Sequence, residues 1–226
     1  MLFRSELPSA AAAPQIVATL TALSADPDVV GIILQSPLPA GVDRRHVAEA
    51  IAPDKDVDGA TSANAARLAA GDLANALLPA TAAAIMELLA ANEVPLAGRR
   101  AVVVGRSPVV GGPVAQLLRL AGASVEVVHS QTLDPKRITR GAEILVVAAG
   151  VRGLIRGDAV APGAVVVDAG IHAVGEQVYG DVDAESVASV IGPSGALSPV
   201  PGGVGPMTNA VLVHQAARAA RRLAGA

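Results

Sequence analysis

The sequence predicts an α/β protein whose second half is a parallel sheet covered by helices on both faces. Three observations lead to this. Short Val- and Ile-rich runs at Arg100–Val104, Ser124–Val128, 144–148 and 164–168 alternate with segments of helical spacing. Strands that are apolar on both faces belong to buried parallel sheets. The first run leads directly into Gly105-Arg-Ser-Pro-Val-Val-Gly111 and a helix, the strand-turn-helix order of a Rossmann-like unit over residues 98–200. The 226 residues are 52% hydrophobic but only 1% aromatic, which supplies an aliphatic core for one large or two small domains.

Taken in order, residues 12–25 place Ile16, Leu20 and Leu23 on one helical face, and the apolar run 29–35 reads as a buried strand ending at Ser36-Pro-Leu-Pro39. Residues 42–51 read as a second helix, followed by the polar loop Pro53-Asp-Lys-Asp-Val-Asp-Gly59. A helix over 81–92 ends at Glu93-Val-Pro-Leu-Ala-Gly98, which has the composition of a domain junction. In the second half, helices are expected over 113–121 and around 138–140. The segment Ser198-Pro-Val-Pro-Gly-Gly-Val-Gly-Pro-Met-Thr208 holds three prolines and three glycines in eleven residues and runs straight into an apolar helical stretch, 209–223. The prolines fix φ at three positions while the glycines admit angles and close approaches closed to other residues, as a shaped binding loop needs and a linker does not; a tight structural turn is the competing reading.

Composition excludes several classes of function. With no cysteine, disulfides, thiolate catalysis and zinc-thiolate sites are all removed. A net charge of -3 and a pI near 5.8 offer no basic face to nucleic acid or to an anionic membrane. No apolar run reaches the length of a membrane span, and Glu6, Pro14 and Gln15 interrupt what would otherwise resemble a signal peptide over 9–24. A soluble, cytoplasmic protein is the expectation.

Two regions carry candidate chemistry. At Gly105 to Gly111 the spacing is G-x-S-x-x-x-G, and glycines there let backbone N–H groups approach a pyrophosphate at the helix N-terminus. The next strand ends at His129-Ser130-Gln131, where an NAD enzyme places a carboxylate on the ribose, and none stands there. With Arg106 in the first loop, the pocket suits a 2′-phosphate, so NADP is the expected cofactor; the competing reading is an ordinary turn with a solvated arginine. In the other region, Asp54-Lys-Asp-Val-Asp58-Gly59, three carboxylates lack the glycine placement and terminal Glu of a calcium loop, so no metal is expected. A solvated charge run is its default reading. Gln35 closes the apolar run 29–35 beside two prolines, either as a strand-end cap or as a side chain held toward a cleft.

These motifs occur in one order: Gln35-Ser-Pro-Leu-Pro39, Pro53 to Gly59, Gly105 to Gly111, His129-Ser130, Val167-Asp-Ala-Gly-Ile171, Gly180-Asp-Val182 and Pro199 to Thr208. The series closely resembles the FolD family of bifunctional methylenetetrahydrofolate dehydrogenases/methenyltetrahydrofolate cyclohydrolases, over nearly the whole chain. The resemblance implies a partial N-terminal α/β substrate domain (1–94), an NADP-binding Rossmann domain (95–200), and a substrate loop and helix returning to the first domain (201–226). It implies tetrahydrofolate derivatives as ligands and a homodimer. It places the cofactor against Gly105, Arg106, Ser107, Gly111, His129, Ser130, Ala149, Gly150, Ile171 and Thr208, and the folate against Gln35, Pro37, Asp58, Pro201, Gly202 and Gly203. Gln35 and Asp58 would be the catalytic pair, Gln35 orienting the cyclohydrolase lysine and Asp58 binding the pterin amino and ring N–H groups.

The departures matter as much. FolD-like chains begin further upstream, with a helix bearing a Tyr-x-x-x-Lys motif that supplies the cyclohydrolase lysine. Here the lysines are Lys55 and Lys136 and the tyrosine is Tyr179. Ala60-Thr61-Ser62 stands where Phe-His-Pro is usual, Pro79-Ala80-Thr81 where Cys-Thr-Pro is usual, and Gly112 where a basic residue is usual. Either the chain is truncated or it is a divergent relative; the opening Leu2-Phe-Arg-Ser5, which resembles translated adapter sequence, favours truncation. Hydride transfer needs alignment and no enzymic base, whereas hydrolysis needs water activation by a tuned lysine. Lys55, on the same loop as Asp58, is not on the opposing wall where that lysine belongs. NADP-dependent oxidation of methylenetetrahydrofolate is therefore the first expectation. A non-catalytic NADP-binding or dimerisation module is the alternative, and an NADP oxidoreductase for another small substrate a third reading.

Overall fold

The computed structural model describes residues 4–225, so Leu2 and Phe3 of the opening segment lie outside the described residues. The chain divides into two compact units, one running to Leu78 and completed from Leu212 onward, the other Pro79–Val211.

In the first unit, α1 (Ala13–Ala25) carries Pro14 in its first turn, where a missing N–H costs no hydrogen bond. The expected strand over 29–35 does not form. Ile32 makes a single parallel bridge to Asp56, its N–H donating to the Lys55 carbonyl at 2.7 Å. The run is still half-buried in alternation, with Ile32 and Leu34 buried and Ile33 exposed. What is missing is a second extended segment long enough to continue the ladder. Helix α2 (Arg44–Ala48) is shorter than expected. Asp43 caps it by accepting from the Arg45 N–H at 2.9 Å, and Ala50 and Ile51 leave it through tight turns onto Val47 and Ala48. Helix α3 (Ser62–Ala69), capped by Thr61, was not anticipated. Ile16, Leu20, Ile32, Leu34, Val47 and Ile51 form the core of this unit.

The second unit opens with α4 (Ala80–Ala91) and continues through β1 (Arg100–Val104), α5 (Gly111–Leu120), β2 (Ser124–Val128), α6 (Pro135–Thr139), β3 (Ile144–Val147), β4 (Val165–Asp168), the hairpin β5 (His172–Val174) and β6 (Gln177–Tyr179), α7 (Ala184–Ile191), β7 (Ala196–Leu197) and the start of α8 (Val204–Leu223). The central sheet is parallel throughout, in the order β2-β1-β3-β4-β7. Its strands are the expected Val and Ile runs, and Val102, Val104, Leu145, Val147 and Val166 are buried with Val187 and Ile191 of α7. The chain leaves β1 to one side for β2 and returns on the other for β3. A crevice therefore opens at the carboxyl ends of β1 and β3, the place where open parallel sheets bind ligands.

Two boundaries differ from expectation. Helix α4 packs on α5 within the second unit, and the presumed junction at Glu93 to Gly98 is a turn inside that unit, with Glu93 and Gly98 both at positive φ. Helix α8 begins at Val204, inside the Pro-Gly segment, because Pro206 falls in its first turn, where proline is tolerated. From Leu212 onward α8 belongs to the first unit. There the buried Gln215 donates to the Val57 and Leu78 carbonyls at 2.7 and 2.8 Å and accepts from the Leu78 N–H at 2.7 Å, so the last helix does pack back on the first domain.

Candidate functional site

At the crevice of the second unit, Gly105 leaves β1 with φ +113 and donates its N–H to the Val128 carbonyl at 2.8 Å. A Cβ on Gly105 would lie 2.1 Å from the Ala148 carbonyl oxygen, and one on Gly111 would lie 2.2 Å from the Gly105 carbonyl oxygen. The two glycines thus let the turn pass against the end of β3 and let α5 start against the turn. Ser107 closes the loop from within. Its Oγ accepts from the Val110 and Gly111 N–H groups at 3.1 and 3.4 Å, and its carbonyl accepts from the Gly112 N–H at 2.9 Å. Arg106 reaches across to the segment after β2, donating to Gln131 Oε1 at 3.2 Å, next to the exposed Ser130. His129 Nδ1 accepts from the Gln131 N–H at 3.2 Å, so in the neutral ring Nε2 carries the proton. No carboxylate stands on residues 129–131. An arginine over a loop free of acidic side chains, beside a turn that begins and ends on a glycine, fits a nucleotide bearing a 2′-phosphate.

Ala149 and Gly150 follow β3, and both donate their N–H groups to Asp181 Oδ2, at 2.6 and 2.8 Å. Asp181 Oδ1 lies 2.7 Å from His172 Nε2, next to the exposed Ile171. The Asp168 carboxylate accepts from the N–H groups of Gly170, Asp181 and Val182 at 2.8, 3.0 and 2.9 Å. Burial pushes the Asp168 carboxyl above the usual carboxylate range; those three N–H groups oppose the shift, and the Asp181 charge adds to it. On the loop after β7, Pro201 and Gly202 are exposed and Gly203 is buried, its N–H donating to the Pro199 carbonyl at 2.9 Å. Thr208 lies on α8 with its hydroxyl donating to the Val204 carbonyl at 2.9 Å.

In the first unit, Arg44 holds the candidate substrate residues together. Its guanidinium donates to the Leu34 carbonyl at 3.1 Å and to Asp58 Oδ2 at 3.0 Å, tying the end of the apolar run to the acidic loop. Gln35 and Pro37 are exposed immediately beyond, with Asp58 half-buried opposite. Sequence reasoning missed Arg44; its signal was its place at the start of a helix capped by Asp43.

The charge run is not uniformly solvated. Asp54 is exposed and paired with Arg67 at 3.1 Å, but Lys55 and Asp56 are buried. Lys55 Nζ donates to the Asp26 carbonyl at 2.6 Å. Asp56 accepts from the N–H groups of Ala60 and Thr61, the Thr61 hydroxyl and the Asn64 amide. The loop buries three consecutive side chains, Lys55, Asp56 and Val57, between the exposed Asp54 and the half-buried Asp58, which a count of charges does not reveal.

Comparison with known proteins agrees with this arrangement. Residues 79–224 match the family described as tetrahydrofolate dehydrogenase/cyclohydrolase, NAD(P)-binding domain, and residues 2–58 match the catalytic domain of the same family. The chain is 48% identical to bifunctional protein FolD 2 of Frankia alni, over 96% of this chain and 74% of that protein. It is 50% identical to bifunctional protein FolD of Nocardia farcinica, over 98% of this chain and 77% of the relative. Among solved structures it is similar to the FolD methylenetetrahydrofolate dehydrogenase/cyclohydrolase of Campylobacter jejuni, with TM-score 0.89, 39% identity and coverage of 95% and 75% of the two chains. It is also similar to the Trypanosoma brucei enzyme complexed with NADP cofactor and inhibitor, with TM-score 0.91, 34% identity and coverage of 99% and 77%. A Rossmann turn prepared for a 2′-phosphate, an Arg44-held Asp58 and matches over both halves lead to one conclusion: the chain belongs to the tetrahydrofolate dehydrogenase/cyclohydrolase family, the FolD family.

Proposed function

We propose that this chain oxidises 5,10-methylenetetrahydrofolate to 5,10-methenyltetrahydrofolate with NADP+. The observation that carries the cofactor half is Arg106, held over the carboxylate-free segment 129–131 at the switch point of a parallel sheet. When bound, NADP supplies the carbon that accepts the hydride. Arg106 and Ser130 would hold its 2′-phosphate, and Gly105, Ser107 and Gly111 shape the turn beneath it. Asp58 accepts from the pterin amino and ring N–H groups, and Arg44 keeps that carboxylate in place. No side chain has to remove a proton for hydride transfer, so positioning is the protein's main contribution.

Hydrolysis of the methenyl product, the second family activity, asks for a lysine with an available amine beside Gln35. Lys55 is buried on the Asp26 carbonyl, and Lys136 forms an exposed pair with Asp158. The reading therefore rests on the dehydrogenase step. A homodimer and a cytoplasmic location complete the reading and rest on the resemblance to the FolD family. No helix among the described residues is long and apolar enough to cross a membrane.

Calorimetric titration with NADP+ and NAD+ tests the cofactor half. NADP+ should bind at least about tenfold more tightly, the effect of one charge-assisted contact to the phosphate; equal or tighter NAD+ binding overturns it. For the folate half, Asp58→Ala should weaken folate binding by about 1.5–3 kcal/mol while NADP+ affinity is unchanged. Unaltered folate affinity would return Asp58 to a role in the loop alone.

A further inference from the structure

Apart from Ile171, the motifs Val167-Asp-Ala-Gly-Ile171 and Gly180-Asp-Val182 have no part in the chemistry above, yet they build one buried cluster. Asp181 is fully buried. Its Oδ2 takes the N–H groups of Ala149 and Gly150 after β3, and its Oδ1 takes His172 after β4. Its own N–H is taken by Asp168 Oδ1, while the Asp168 N–H donates to Ser198 Oγ at 2.8 Å, at the start of the Pro-Gly loop after β7. Two glycines exist to admit these carboxylates. A Cβ on Gly180 would lie 1.8 Å from Asp168 Oδ2, and one on Gly170 would lie 2.4 Å from Asp181 Oδ1 and from its backbone nitrogen. The three segments joined are those that leave the carboxyl ends of β3, β4 and β7, the side on which parallel sheets hold ligands.

We propose that Asp181, fastened by His172 and Asp168, is the positioning residue for the cofactor pocket: its carboxylate ties the 149–150 loop to the 171–172 segment, and its N–H ties both to Asp168, whose own N–H holds the loop that begins at Ser198. The inference rests on the reading that this crevice binds NADP. His172 is the part of the cluster open to solvent, its side chain 22% exposed over a carboxylate that is wholly buried. Removing it leaves Asp181 Oδ1 without its side-chain partner and releases the 171–172 segment, while the backbone donors to Asp181 and Asp168 remain in place. Removing Asp181 itself would strand two buried N–H groups and risk the fold, so the test is made at His172.

Titration of the 226-residue chain with NADP+ is compared for the unaltered protein, His172→Ala and His172→Gln, each with a thermal melt. His172→Ala should weaken NADP+ binding about fivefold or more, the effect of one lost hydrogen bond on the pocket. Its melting temperature should stay within about 4 °C. His172→Gln carries an amide N–H to the position of Nε2, facing the same Oδ1, and should restore affinity to within about twofold. Unchanged binding by His172→Ala overturns the inference, as does a loss that His172→Gln fails to restore or one that only follows a collapse in melting temperature. If the unaltered chain binds no NADP+, the cofactor reading fails and the inference fails with it, a result distinct from normal binding in the unaltered chain and in His172→Ala alike.

Discussion

Asp56→Ala should cost the first unit about 4 kcal/mol or more, enough to unfold a domain of ordinary stability. Asp56 is completely buried and accepts four hydrogen bonds, from the Ala60 N–H at 2.9 Å, the Thr61 N–H at 2.8 Å, the Thr61 hydroxyl at 2.7 Å and the Asn64 amide at 3.0 Å. Alanine would leave those donors facing a dry void, and each buried unsatisfied group costs about 1–3 kcal/mol. The loss spreads beyond the loop. Asn64 also donates to the Pro53 carbonyl at 2.9 Å and accepts from the Leu77 N–H at 3.1 Å, so the same network sets α3 and the end of the unit. The control is Asp54→Ala, two positions away. That carboxylate is 57% exposed in a surface pair with Arg67, so its loss should cost no more than about 1 kcal/mol. Chemical denaturation of the two variants decides between them. Equal midpoints would mean that the buried network contributes nothing beyond a surface ion pair.

Gly105→Ala should abolish NADP+ binding and destabilise the second unit by about 3 kcal/mol or more. The new Cβ would sit 2.1 Å from the Ala148 carbonyl oxygen and 2.8 Å from its carbonyl carbon, and both obstacles are backbone. Neither side can yield. The Ala148 N–H donates to the Val104 carbonyl at 2.8 Å, Val104 and Val147 are paired in register, and the Gly105 N–H is held by the Val128 carbonyl at 2.8 Å. In addition φ is +113, where an L side chain is strained even in open space. Gly112→Ala provides the contrast. Its Cβ would meet only the Ser107 carbonyl oxygen, at 3.4 Å, and alanine is the better helix former, so the change should be near neutral in the melt and in the titration. A Gly105→Ala protein that folds and binds normally would show that the sheet yields where its hydrogen bonds say it cannot.

The alternation of strand and helix after Arg100, the parallel sheet and the aliphatic core are legible in the residues alone, because periodicity and the absence of polar residues within a run are local properties. The turn at Gly105 to Gly111 is legible there too. Segments whose structure depends on a distant partner were not legible. Residues 29–35 have the pattern of a strand, but a strand needs a neighbour of matching length, and here one bridge to Asp56 is all that forms. Residues 169–197 carry no clear period, yet they hold a hairpin, a helix and an edge strand, and the chain between hairpin and helix is anchored by the Asp181 and Val182 N–H groups on Asp168. The run Asp54 to Asp58 shows the same division within a few residues. Charge is written in the sequence, but which carboxylate faces inward is set by Thr61 and Asn64, which supply the hydrogen bonds that make burial tolerable. Arg44 likewise gains its meaning from the Leu34 carbonyl and Asp58, brought together only when the loop closes. At Gly105 the residue was foreseen and the reason was not: the glycine is required by the Ala148 backbone, which reaches it through the pairing of β1 with β3. Composition and period state which residues must leave water, and only the tertiary structure decides what each of them meets.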